Sequence, residues 1–219
     1  MDFYPQLQHA TAAERAALLS TPLITAALAG QVNRQHYLDF LSRAFHHVKH
    51  TVPLLMACGA RLSDRQEWLR SAVSHYIEEE LGHHEWILND IAAAGGDADA
   101  VRDSQPDFDT GVMVAYAYDT VTRRNPVGYF GMVYVLEGTS VSLASNAARA
   151  LQLALDLPPT AFTYLSSHGA LDVEHIGDFE QLVNRLDTAD DRDSVVQNAR
   201  TFFRLYGNVF RSIDLQENT

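Results

Sequence analysis

Residues that start and stop helices divide this chain into long helix-forming segments joined by short connections. Asn33 caps a stretch of helical apolar periodicity that reaches about Arg61, and Ser63 opens a second stretch that ends at Gly95-Gly96. Asn125-Pro126 begins a third long helix, which runs to about Asp156 before Pro158-Pro159 breaks it. Further helices are predicted around Thr11, from Thr21-Pro22 to near Gly30, over about 160–186, and from Thr188 to Ile213.

One segment is ambiguous. Residues 97–108 are predicted to form a polar loop, and in Thr110–Thr122 the apolar residues alternate as they would in a strand. An isolated strand in an otherwise helical chain has no partner, so we predict a helix there. The sequence therefore predicts a single all-α domain, a bundle of about seven helices. Short helices occupy 1–33, a metal-binding bundle 34–186, and a C-terminal helix 187–219.

Composition excludes several classes of partner. The chain has 219 residues, with 16 basic against 28 acidic residues and a formal net charge of −12, so neither nucleic acid nor an anionic membrane is expected as a partner. The longest charge-free run, Ala16–Asn33, is interrupted by Pro22 and Gly30, which argues against a signal peptide or membrane span. The single cysteine, Cys58, fits a reducing cytoplasm.

Histidine is unusually frequent and strongly clustered. Eight of the ten histidines lie in three short windows, each inside a predicted long helix. These windows contain His46, His47 and His50; His75, His83 and His84; and His168 and His175.

The second and third windows pair histidine with a carboxylate. Glu80 and His83 are three residues apart, which on a helix makes them neighbours at the margin of its apolar face. His168, Asp172 and His175 have spacings of four and three, which places all three on one helical stripe. Taken alone, Glu80 and His83 are weak evidence for a metal site, because a surface Glu–His pair explains them. For His168, Asp172 and His175 a purely structural role is less favourable, because three polar side chains on an apolar stripe would lose their hydration without gaining a ligand in exchange.

Glu137 is the only charged residue in the 24 residues from Asn125 to Ala148. Either it faces solvent from a partly exposed helix, or it coordinates something in the core. On the first long helix, His47 flanks the apolar stripe, whereas His46 and His50 fall roughly opposite it and are expected at the surface.

Together these residues suggest a metal centre. In di-iron carboxylate bundles, two helices give single carboxylates and two give carboxylate-x-x-His pairs. This chain offers one residue, His47, from a first helix, Glu80 and His83 from a second, Glu137 from a third, and Asp172 and His175 from a fourth. Imidazole and carboxylate ligands without thiolates suit iron or manganese better than structural zinc.

At these residues the sequence resembles the haem-oxygenase-like di-iron oxidases, also described as iron-containing redox enzymes or as TenA-like and PqqC-like proteins. The resemblance spans about residues 35–185. It rests on Glu79-Glu80-Leu-Gly-His83-His84-Glu-Trp, on Glu137, and on His168-x3-Asp172-x2-His175. It implies a haem-oxygenase-like fold, and ligation and catalysis by Glu80, His83, Glu137, His168, Asp172 and His175.

One position departs from the family pattern. The first long helix of the family generally contributes a Glu, and the comparable stretch here is His46-His47-Val-Lys-His50. Either His47 replaces that Glu as a ligand, or one of the two metal sites is differently composed. Thiaminase activity is not implied, because Cys58 lies in an apolar context without the setting of a nucleophile.

The activity implied by the resemblance is that of an oxidase or oxygenase with two iron ions, or iron and manganese, and O₂ as cosubstrate. The substrate would be a small organic molecule such as an amino or fatty acid, and related proteins often form homodimers. Two alternatives stay open: haem binding or degradation on the same fold with His46 or His47 as axial ligand, and a non-catalytic, ferritin-like iron-binding or regulatory protein.

Overall fold

A computed structural model describes residues 2–216, and within these the side chains of residues 168–175 are outside the description. All regular structure in the described part of the chain is helical. The α-helices are α1 (Phe3–Ala10), α2 (Ala12–Leu19), α3 (Pro22–Leu28), α4 (Arg34–Val48), α5 (Thr51–Arg61), α6 (Glu67–Glu80), α7 (His83–Ala93), α8 (Ala98–Asp103), α9 (Phe108–Arg123), α10 (Tyr129–Leu155), α11 (Thr163–Asn184) and α12 (Ala189–Arg211).

The all-α prediction is confirmed, but the expected number of about seven helices is wrong. Both long helices expected in the first half are broken in two. The first is interrupted at Lys49-His50, between α4 and α5, and the second at Leu81-Gly82, between α6 and α7. Gly82 has a φ of 88°. This left-handed conformation is open to glycine and ends α6.

The ambiguous segment is a helix, as predicted. Met113, Ala117 and Val121 recur every four residues of α9, and all three are fully buried. The expected polar loop at 97–108 is only partly a loop, because Asp97 accepts a hydrogen bond from the Ala100 N–H and caps the short helix α8.

The long helix α10 packs against α11, α12 and α3, and its first half is buried on most sides. Gly131 lets α10 approach α12 closely, because a β-carbon there would lie 2.6 Å from the backbone N of Ala199 and the backbone O of Val195. The almost uncharged sequence of this helix is therefore explained by its position between other helices.

No helix in residues 2–216 is both long enough and apolar enough to cross a membrane.

Candidate functional site

An elongated cavity of about 160 Å³ lies between seven helices, α3, α4, α5, α6, α10, α11 and α12. Most of its described lining is apolar. Representative apolar residues are Leu23, Ile24, Ala27, Phe40, Val48, Met132, Val133, Leu136, Leu143, Ala144, Ala147, Leu151, Leu165 and Phe210. Such a largely apolar cavity with a few polar groups is typical of a small-molecule site.

Two glutamates, Glu80 and Glu137, and two tyrosines, Tyr76 and Tyr129, are among the polar residues of the cavity. We call the part of the cavity that they form the acidic end. All four line the cavity. Burial, and then the charges of carboxylates that include Glu137 and Glu80, raise the pKa of Tyr76 well above its usual range. The pKa of Tyr129 is raised by burial and by the same two charges, among others. Two carboxylates from α6 and α10 thus act on the same pair of tyrosines.

Glu137 is 8% exposed and lines the cavity. Of the two alternatives open from the sequence, the solvent-facing one is therefore wrong. The carboxylate belongs to the interior, where a charged group needs favourable polar surroundings.

Glu80 and His83 form a buried pair, although not in the way the spacing suggested. Glu80 is the last residue of α6 and His83 the first of α7, so a helix break separates them. The His83 Nδ1 nevertheless lies 3.1 Å from the Glu80 Oε2, and the two side chains are 4% and 12% exposed. The His83 ring also packs against Trp86 at 4.0 Å between centroids. The predicted pairing is confirmed, whereas its expected origin in one continuous helix is wrong.

His47 lies where the sequence placed it, on the inner side of α4. It is 3% exposed, lines the cavity, and its ring centroid is 5.7 Å from that of Tyr206 on α12.

The expectation that His46 and His50 lie at the surface is wrong. His46 is 2% exposed, and its Nε2 is 2.8 Å from the Ser104 Oγ just after α8. Burial and the nearby Lys49 charge lower the pKa of His46 to about 4. His50 is half-buried with its Nδ1 3.0 Å from the Tyr118 hydroxyl. Neither lines the cavity, because this side of α4 is covered by α9 and by Ser104.

The remaining predicted ligands, His168, Asp172 and His175, fall on α11, and their side chains lie outside the described residues. Among the side chains that are described, no three histidine, cysteine, aspartate or glutamate residues come together as a set able to hold a metal ion. The described part of the site is therefore a pair, Glu80 and His83, together with Glu137 and His47 on neighbouring walls.

The chemistry of these donors fits iron. They are carboxylates and imidazoles, the ligands of non-haem iron sites, and the thiol of Cys58 lies elsewhere and donates to the Pro126 carbonyl at 3.3 Å. Ligand atoms about 2.1 Å from one ion and at right angles are about 3 Å apart. The Glu80–His83 separation thus suits both a hydrogen bond and adjacent positions on one ion.

Among the polar residues of the cavity that sequence reasoning missed is a histidine, His36. It follows the Asn33 cap by three positions, and only that spacing could have singled it out. Of five aromatic residues that the sequence offers as pocket lining or core, Tyr76 lines the cavity, whereas Tyr116, Tyr118, Phe130 and Tyr134 do not.

Comparison with known proteins places the fold. The chain superposes on a crystallised domain of unknown function with a haem oxygenase-like fold from Shewanella denitrificans (TM-score 0.87, 25% identity, 97% of this chain and 92% of that chain covered). It is also similar to a TenA homologue from Pseudomonas syringae pv. tomato (TM-score 0.79, 13% identity, 96% and 91% covered). A third similar structure is haem oxygenase-1 from Synechocystis in complex with haem (TM-score 0.75, 15% identity, 98% and 93% covered).

No protein of curated function matches this sequence. The family described as iron-containing redox enzyme matches residues 38–207, a range that includes every predicted ligand. With its haem oxygenase-like, TenA-like fold, the chain belongs to this family of iron-containing redox enzymes.

Proposed function

We propose that this protein is an O₂-dependent non-haem iron oxidase or oxygenase that acts on a small, largely apolar organic substrate. The observation that carries the proposal is the acidic end of the cavity. There, Glu80 with its partner His83 and Glu137 combine hard oxygen and imidazole donors beside an apolar chamber.

In this proposal Glu80, His83, Glu137, His168, Asp172 and His175 hold two iron ions, or iron and manganese, and His47 stands where the family usually has a Glu. Bound ferrous iron supplies the electrons for the activation of O₂. A cation at this point also offsets the repulsion between Glu80 and Glu137, whose charges act on the same tyrosines.

The chain's own residues supply the rest of the environment. Burial and the neighbouring carboxylates keep the Tyr76 hydroxyl protonated at neutral pH, so that it serves as a hydrogen-bond donor beside the acidic end. The apolar walls from α3 and α10 exclude bulk water and favour a substrate with an apolar body. We further propose a reducing cytoplasm as the site of action and a homodimer as the assembly.

Metal content and O₂ uptake together test this function. The protein is purified without oxygen and titrated with Fe(II), bound iron per chain is measured, and O₂ consumption is recorded after mixing with air. We expect two ions per chain and iron-dependent O₂ uptake. Glu137→Gln, which keeps the shape but loses the charge, should lose at least one ion, and so should His175→Ala.

Glu85→Gln provides the matched control. Glu85 lies on α7 beside the candidate ligands, but its side chain is 43% exposed and pairs with Arg102. Its replacement should leave iron binding unchanged. Full retention of iron by Glu137→Gln and His175→Ala would refute the ligand set. Stoichiometric haem binding with a Soret band, in a chain that binds no Fe(II), would favour the haem alternative and overturn the proposal.

A further inference from the structure

His36 is a buried polar residue of the cavity wall that the proposed iron chemistry does not use. It is 4% exposed and lines the cavity. Its Nδ1 accepts a hydrogen bond from the Asn33 N–H at 3.2 Å, while its own N–H donates to the Asn33 Oδ1 at 2.9 Å. Because Nδ1 is an acceptor, the neutral ring carries its proton on Nε2, which makes Nε2 a donor.

That donor has no hydrogen-bond partner among the described residues. A buried donor left unsatisfied costs free energy, and native proteins rarely keep one without a reason. An acceptor atom on a molecule in the cavity would remove this cost.

His36 lies far from the acidic end. A β-carbon at Gly30, just before α4, would be 3.2 Å from the Ala154 Cβ, so the start of α4 lies beside the C-terminal part of α10. Tyr37, the neighbour of His36, donates to the Ala161 carbonyl beyond the end of α10 at 2.7 Å. On α4 itself, His47 beside the acidic end follows His36 by 11 residues, which corresponds to about 16 Å along a straight helix.

The wall between the two ends is largely apolar, with the Ser140 hydroxyl as a polar exception near Glu137. On α10 it is formed by Leu143, Ala144, Ala147 and Leu151, and on α4 by Phe40. No Lys or Arg occurs in the described lining, so a carboxylate beside His36 would lack a cationic side chain to compensate it.

We infer that His36 is a substrate-binding residue that donates its Nε2–H to a neutral acceptor, such as a carbonyl oxygen, on an elongated apolar molecule whose other end reaches the acidic end. The inference deepens the proposed function, since it gives that site a substrate class: chain-like molecules with a neutral acceptor remote from the atom that reacts.

A matched pair of probes of equal chain length tests this, methyl nonyl ketone and undecane. Their binding to the metal-free chain is measured by displacement of a fluorescent naphthalene dye. We expect the ketone to bind roughly three- to tenfold more tightly than undecane, the range of one net hydrogen bond. In His36→Phe, which keeps an aromatic ring but not the donor, the preference for the ketone should be lost or reversed, because the ketone oxygen would be buried without a hydrogen bond.

His36→Phe also removes half of the helix cap, so a second variant isolates that loss. Asn33→Ala weakens the same cap but keeps the His36 ring, and it should retain the preference for the ketone. Nitrogen-15 spectra of the histidine rings provide a reading on the native chain: the His36 Nε2–H signal should shift with the ketone and not with undecane.

Equal binding of the two probes by the native chain, or a preference that survives in His36→Phe, would overturn the inference. The outcome is independent of the proposed iron chemistry. A chain that binds no iron but shows a His36-dependent preference for the ketone contradicts the proposed function alone, whereas normal iron binding without that preference contradicts only the role of His36.

Discussion

Asp90 connects two helices through one fully buried carboxylate. From α7 it accepts hydrogen bonds from the Tyr164 N–H at 2.9 Å and from both the N–H and the hydroxyl of Thr163, at the start of α11. It therefore caps α11 from outside that helix, satisfying N–H groups that have no partner within it. The cap fixes the start of the helix that carries three of the predicted ligands.

The titration of Asp90 has a definite sign. Burial raises its pKa above the usual value, against the lowering effect of these hydrogen bonds. The folded chain thus holds this proton more tightly than the unfolded chain, and the contribution of Asp90 to stability decreases as pH rises through the unfolded pKa of about 3.9 towards the folded value. Relative to Asp90→Asn, which does not titrate, the native chain should lose unfolding free energy over that window and stay level above it. Urea unfolding measures the unfolding free energy of both chains across this range. If the native chain instead gained unfolding free energy relative to Asp90→Asn as pH rose, the raised pKa of Asp90 would be contradicted.

Gly82 holds Glu80 and His83 together by a left-handed turn. Its φ is 88°, and a β-carbon added there would meet no atom within 4 Å, so the cost of a side chain is conformational rather than steric. Gly82→Ala should lower the unfolding free energy by about 1 kcal/mol, and Gly82→Asn by less, because asparagine tolerates this region. Both are measured by chemical unfolding. If the two variants lowered the unfolding free energy equally, the left-handed conformation of Gly82 would not be the source of the cost.

At the scale of residues, the sequence predicted chemistry better than orientation. The pairing of Glu80 with His83 follows from their types and closeness in sequence, and it holds even though a glycine breaks the helix. His46 was misplaced because one helical periodicity was extended through Lys49-His50, and because the cover supplied by Ser104 is distant in sequence. Long-range cover of this kind leaves no local pattern.

At the scale of elements, the contact between α10 and α12 depends on the absence of one side chain. A β-carbon at Gly131 would lie 2.6 Å from backbone atoms of Ala199 and Val195, and neither can move without shifting α12. Gly131→Ala should therefore destabilise the chain by about 1–3 kcal/mol through overpacking, despite the better helix propensity of alanine.

Gly111→Ala is the matched control for this effect. Gly111 is also helical, but its nearest neighbour to a β-carbon is the Pro106 Cγ at an ordinary 3.8 Å. This variant should be neutral or gain up to about 1 kcal/mol in unfolding free energy. Thermal unfolding of both proteins makes the comparison, and equal effects would show that propensity rather than helix approach dominates at Gly131.

Helix existence was predicted from caps and apolar spacing, whereas helix continuity was overestimated. The alternating residues of α9 were resolved correctly because a lone strand would have lacked a partner. The break at Gly82 has a local signal in the glycine itself. The break at Lys49-His50 also has one, because Pro53 in the first turn of α5 lacks the N–H that a continuous helix would donate to the Lys49 carbonyl. The helix α8 within the expected loop is signalled only by its Asp97 cap.

At the scale of the whole molecule, the cavity and the close-packed interface lie on the same helix. Ala144 of α10 is 4% exposed and lines the cavity, while Ala199 of α12 is fully buried against α10 near Gly131. The two alanines are similarly buried, but Ala144 borders the open volume of the cavity, whereas Ala199 packs against the backbone of α10. Neither could be told from the other by sequence, since the cavity is formed by seven helices that are distant in the chain.

Adding the same side chain at both positions separates these situations. Ala144→Leu should fill part of the cavity, raising the unfolding free energy of the metal-free chain by about 1 kcal/mol while weakening binding of methyl nonyl ketone by about tenfold or more. Ala199→Leu should instead lower the unfolding free energy by about 1–3 kcal/mol. Chemical unfolding and dye displacement measure the two effects. A substrate-binding cavity stays open even though filling it would stabilise the protein. We therefore expect Ala144→Leu to gain stability and to lose ketone binding. Equal destabilisation by both leucines, with ketone binding unchanged, would show that the cavity is not the binding chamber.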